Sequence, residues 1–148
     1  MTPLVRLYVK TSFAFLLAGL FVGGYVTLVV NVAGRAVAWP LITAHVHLLL
    51  VGFLLTLVFG VATWMFPRPA RADARYRPWV AWLVYWLLTG STVIRTVGEI
   101  GAALAGTRGS VLAAVGGLGQ LAAAILFVVN MWTRVRMPGA SPPSAPAG

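Results

Sequence analysis

The chain reads as an all-α integral membrane protein: a four-transmembrane-helix bundle with both termini cytoplasmic. Three observations predict this. Of its 148 residues, 60% are hydrophobic and only 9% charged, far below the quarter usual in a soluble domain. The apolar residues fall into four blocks, each offering the roughly 20 residues that a helix needs to cross a bilayer. The cations gather at the block ends and are unequally shared between the two faces, as topology signals are.

The first block spans residues 11–33 and ends before Arg35. Its length exceeds the apolar core of a cleaved signal peptide, and Arg6 and Lys10 suit an uncleaved anchor, so it counts as the first helix. The second block, residues 39–66, opens on Trp39-Pro40 and stops at Pro67, which cannot continue a helix. A basic loop with Arg68, Arg71, Arg75 and Arg77 follows. The third block spans residues 79–105. Gly106, Thr107, Arg108 and Gly109 form a turn, with Ser110 as N-cap of the fourth block, residues 110–133. Residues 1–136 therefore make one transmembrane domain. Residues 137–148 are Met, Pro, Ala, Ser and Gly and read as a disordered tail.

Arg6, Lys10, the central loop, Arg134 and Arg136 share one face, against Arg35 and Arg108 on the other. The positive-inside rule puts the richer face in the cytoplasm, which makes this a multi-pass protein of a prokaryotic inner membrane. Net charge is +9, with eleven Lys and Arg against Asp73 and Glu99. Placed at segment ends, that excess meets membrane lipid headgroups and does not indicate nucleic acid. The absence of cysteine excludes disulfides, thiolate metal sites, iron–sulfur clusters and covalently attached heme. Gly19 and Gly23, and Gly116, Gly117 and Gly119, permit close helix packing, within one bundle or across a dimer seam. No nucleophile–base pair or carboxylate pair points to a hydrolase, protease or kinase.

Ionisable groups inside the hydrocarbon are costly and mark candidate sites. His45 and His47 lie near the start of the second helix, and Arg95 and Glu99 in the matching part of the third. At about 1.5 Å per residue, His45 is roughly 9 Å below Trp39. Arg95 and Glu99 are one turn apart on one face and can pair. The histidines, two residues apart, differ by about 200° and face opposite sides of their helix, so one metal cannot take both. Each could simply hydrogen-bond a neighbouring helix. Neutral imidazole is also a ligand for heme iron, zinc or copper, and arginine can neutralise a heme propionate.

Thr43-Ala44-His45-Val46-His47, then Leu-Leu-Leu-Val-Gly, then Phe59-Gly60, and finally Trp64-Met65-Phe66-Pro67 resemble heme-ligand helices of heme-copper oxidase subunit I. The segment is similar to that family's late helix with an Ala-His-x-His pair, whose histidines each ligate a different heme. It also resembles the family's second helix, whose histidine holds the low-spin heme and falls on His45. NnrS-type membrane heme proteins, linked to nitric oxide stress, have the same kind of helix, and residues 88–98 with Arg95 are loosely similar to them. The resemblance implies a b-type heme with His45 as axial ligand and His47 second, Arg95 on a propionate, and Glu99 orienting Arg95 or tuning a proton near the outer surface. It does not extend to the oxidase reaction. Two histidines in all cannot build a heme–copper centre, so no copper is expected from this chain alone.

A second axial ligand is short. Met65, Met131 and Met137 lie at the opposite end, and Tyr25 is the hard ligand near the right depth. Either a homodimer brings two histidines onto one iron, or the iron keeps an open position for nitric oxide, carbon monoxide or oxygen. The expected function is thus a membrane heme protein of electron transfer or diatomic-gas binding. The competing expectation is a non-heme accessory subunit of a larger membrane complex, with the histidines and Arg95 structural. A metal chaperone or transporter is disfavoured by the missing cysteines and the lack of repeated halves.

Overall fold

A computed structural model of the protein describes residues 1–66, 77–105 and 107–135. Pro67 with the arginine-rich stretch to residue 76, Gly106, Arg136 and the tail with Met137 lie outside the described residues. Four helices, each long and apolar enough to cross a membrane, follow one another: α1 (Pro3–Val32), α2 (Trp39–Met65), α3 (Pro78–Ala105) and α4 (Thr107–Met131). They run alternately up and down. Along α1 and α2 the contacts pair in reverse order, with Gly19 on Leu48 and Leu49, Phe15 on Gly52, and Tyr8 on Gly60.

The first helix begins eight residues before the apolar block does. Pro3 occupies its first turn, where a missing N–H costs nothing, and the Thr2 hydroxyl accepts from Val5 N–H at 3.5 Å. Arg6 and Lys10 are therefore helical rather than flanking, while Leu4, Val5 and Tyr8 are buried. At the other boundary the helix has already begun by Thr107, so Ser110 is not its N-cap and Gly109 lies within the helix against α3.

Two stretches depart from α geometry. Leu28–Val32 and Leu48–Leu55 are π-helical, their turns widened to an i→i+5 spacing. The second starts immediately after His47 and ends where the Thr56 hydroxyl bonds Val51 O at 3.0 Å. Such widening shifts the angular phase of everything after it. Thr56, Phe59 and Gly60 consequently become the buried positions of the lower half of α2.

The core divides the bundle in two. Near the termini it is apolar and aromatic: Tyr8 meets Tyr85 edge-on at 5.0 Å, and Phe59 stacks on Phe127 at 3.6 Å. Leu4, Val84, Leu88 and Ala123 fill the rest. The Tyr85 hydroxyl shares a 2.7 Å hydrogen bond with that of Thr11. At the same end Arg134 is buried rather than flanking the helix. Its Nη2 donates to Thr63 O at 3.1 Å and to Phe66 O, satisfying carbonyls at the end of α2 that no helical N–H reaches.

The closest helix pair is α3–α4. Gly98, Gly109, Gly116 and Gly119 bring the backbones together, with Ser91 and Arg95 lying directly on α4 glycines. Both glycine groups noted in the sequence thus pack inside one chain, Gly19 and Gly23 against α2, and Gly116, Gly117 and Gly119 against α3. A Cβ on Gly116 would stand 2.5 Å from Arg95 N, whereas one on Gly90 would meet nothing within 4 Å. Gly116→Ala is expected to cost about 1–3 kcal/mol by overpacking. Gly90→Ala is expected to gain up to about 1 kcal/mol from helix propensity. Thermal unfolding in detergent micelles checks both.

Candidate functional site

His45, His47, Arg95 and Glu99 lie in the half of the bundle nearer Trp39, and α1 and α3 divide the two histidines between them. His45 turns toward α1, where its Nδ1 lies 2.8 Å from Gly19 O. Only a glycine at position 23 leaves room for the ring, since a Cβ there would land on the imidazole. His47 turns to the opposite side, and its Nδ1 lies 2.8 Å from Oε1 of Glu99 on α3. That contact is close but poorly aligned for a hydrogen bond. His47 Nδ1 and Glu99 Oε2 both remain buried without a hydrogen-bond partner.

Glu99 is 4% exposed. Its Oε1 also accepts from Arg95 Nε at 3.0 Å, one turn along α3. Arg95 Nη1 in turn donates to Oε1 of Gln120 on α4 at 3.2 Å, and Gln120 Nε2 donates to the Thr92 hydroxyl at 3.2 Å. The Thr92 hydroxyl bonds Leu88 O at 2.8 Å. The chain His47–Glu99–Arg95–Gln120–Thr92 therefore crosses three helices. Gln120 was not singled out in the sequence. A glutamine surrounded by glycine, leucine and alanine on an apolar helix is the signal that could have found it, because an amide in that setting needs a partner.

Tyr25 does not join this network. It is 57% exposed and lines a cavity at the Trp39 end, with Arg35 and Leu41. Among the described residues no three His, Cys, Asp or Glu groups cluster closely enough to hold a metal ion together. What the site offers is two imidazoles on opposite faces of α2. Each presents Nδ1 to an acceptor of the protein, and neither has a hydrogen bond to Nε2 among the described residues.

Fold and site together define the class: an all-helical, up-and-down four-helix bundle whose buried polar groups link α2, α3 and α4. No family, no characterised protein and no solved structure matches the chain.

The network makes Glu99 and Arg95 interdependent. Glu99→Ala is expected to destabilise by about 3–5 kcal/mol, because it leaves Arg95 charged and poorly compensated in an apolar bundle. The double variant Arg95→Leu/Glu99→Leu is expected to lose less than Glu99→Ala alone. Gln120→Leu, which removes an acceptor for Arg95, is expected to cost about 1–3 kcal/mol. Denaturant unfolding of the single and double variants in micelles measures the coupling.

Proposed function

We propose that this chain is a multi-pass membrane protein that binds b-type heme and serves electron transfer or the binding of nitric oxide, oxygen or carbon monoxide. The observation that carries this reading is where the imidazoles sit, each with Nδ1 beside a protein oxygen. His45 has Nδ1 on the Gly19 carbonyl and His47 has Nδ1 beside the Glu99 carboxylate. Metal-ligating histidines almost always have one ring nitrogen on a carbonyl or carboxylate, which fixes the ring and presents the other nitrogen to the metal. The oxidase-like pattern from Ala44 to Pro67 supports the same reading.

His45 is the first-choice axial ligand and His47 the second. Since the two face opposite ways, a single heme would be held by only one of them from a given chain. A two-fold homodimer supplies the second histidine, or the position stays open for a gas. Among the described residues Arg95 Nη2 has no hydrogen-bond partner, and Arg95 is the candidate for a propionate, with Glu99 holding the guanidinium in place. Bound there, heme supplies one-electron chemistry or a gas-binding iron. The excess of cations on the terminal face supports an orientation with both termini in the cytoplasm, and the membrane proposed is the inner membrane of a prokaryote.

A second reading has its own support. Gly19 O, Glu99 and Gln120 already partner the histidines and Arg95, as they would in a purely structural network of an accessory subunit. An optical spectrum of detergent-purified protein, expressed with adequate heme, separates the two. A Soret band is expected, reduced at least tenfold in His45→Ala. A sharp low-spin spectrum indifferent to carbon monoxide indicates a six-coordinate electron carrier, and a shift with carbon monoxide indicates an open iron. A colourless protein sinks the heme reading and leaves the accessory subunit.

A further inference from the structure

At the Trp39 end the chain leaves α1 through its π-helical turn and roofs a small cavity. Ala33 N–H donates to Leu28 O at 3.1 Å, and Arg35 N–H reaches back to Val29 O at 3.0 Å. Between them Gly34 takes φ of 61°, a left-handed conformation that glycine adopts without steric cost. The Arg35–Val29 bond fixes the Arg35 backbone over the end of α1. Beneath lies a cavity of about 380 Å³, walled by Val29, Leu41, Ile100 and Leu104, with Tyr25 and Arg35 as its side-chain polar groups. Concave, mostly apolar sites of roughly 300–1,000 Å³ with a few convergent polar groups are the common form of a small-ligand pocket.

The charge of the site selects the ligand. Arg35 has no ion pair among the described residues, because Glu99 is held by His47 and Arg95 in the neighbouring network. Arg35 and Tyr25 are exposed and line this pocket, and no acidic residue is among its described lining residues. We propose that this cavity binds an anionic amphiphile. Its oxyanion sits on Arg35 and the Tyr25 hydroxyl, and its alkyl part lies against Val29, Leu41, Ile100 and Leu104. A fatty-acid carboxylate and a phospholipid phosphodiester present the same oxyanion to a guanidinium. The inference goes beyond the heme reading and does not depend on it: His45, His47, Arg95 and Glu99 take no part, and Tyr25, a candidate iron ligand by depth alone, is used here only as a hydrogen-bond donor.

The full chain, delipidated in a neutral detergent, is titrated separately with oleate and with dioleoylphosphatidylglycerol, and retained lipid is counted by native mass spectrometry. One of the two is expected to bind at one per chain. Arg35→Gln is expected to weaken it at least about tenfold, the loss of one charge-assisted hydrogen bond. Neutral methyl oleate is expected not to compete. Ala103→Phe, which fills the cavity without changing charge, is expected to weaken binding as well. Binding of oleate alone identifies a carboxylate ligand, and of the glycerophospholipid alone a phosphodiester. The proposal is overturned if neither lipid binds, if Arg35→Gln binds like the wild type, or if methyl oleate competes equally. It is equally overturned if a folded Ala103→Phe binds normally, which would reduce Arg35 to general surface charge. Should Ala103→Phe misfold, the exposed Arg35→Gln decides alone. Heme is not read in this assay, so a colourless protein leaves the outcome intact.

Discussion

Glu99 is the constraint around which the upper half of this bundle is arranged. It is the one acid among the described residues and is almost wholly buried, in helices apolar enough to lie in hydrocarbon. A carboxylate there is tolerable only with compensating charge and hydrogen bonds, since desolvation alone costs several kcal/mol. Arg95 supplies the charge from one turn away, and His47 approaches from α2. Arg95 then needs an acceptor for its own remaining donors, and Gln120 provides it from α4. Satisfying one acid thus draws three helices into a defined register.

That register in turn depends on small residues. Gln120 reaches Arg95 because Gly116 and Gly119 let α4 lie almost directly on the α3 backbone. Gly19 and Gly23 do the same on the other side, opening α1 to the imidazole of His45. Helices in hydrocarbon gain little from hiding apolar surface, so close packing and interhelical hydrogen bonds must hold them. Here the two devices occur at the same places. The lower half is held chiefly by Tyr8, Tyr85, Phe59 and Phe127, with Gly60 admitting Tyr8 and the Thr11–Tyr85 hydrogen bond adding a polar link between helices. Arg134 closes that end by taking up the free carbonyls of α2.

The candidate site follows from this division. Two histidines in one turn of α2 are pulled to opposite neighbours, one to a backbone carbonyl and one to a carboxylate. That arrangement suits metal ligation through the remaining nitrogens and also suits plain helix bridging, and the choice between them rests on whether the protein carries heme. The cavity lined by Arg35 sits at the same end of the bundle, yet its chemistry is different: an exposed cation with no ion pair among the described residues, beside apolar side chains.

Much of this was legible from residues alone, because composition and block length are enough to require four apolar helices with breaks near Arg35, Pro67 and Gly106. The pairing of Arg95 with Glu99 followed from a four-residue spacing on one helix, and the opposed directions of His45 and His47 from a two-residue spacing on another. These are local relations, set by helix geometry within a few residues. Other features needed the tertiary structure. The start of α1 at Pro3 is hidden in the sequence because Arg6 and Lys10 interrupt the hydropathy, although Leu4 and Tyr8 belong to the core. The π-helical stretch after His47 changes the phase of the lower half of α2, which a fixed period cannot anticipate. Tyr25 shared a depth with His45 but not a direction, and Gln120 became part of the network only through α3–α4 contact. Depth and spacing are properties of one helix, whereas partners across helices depend on rotation and close approach, which packing alone decides.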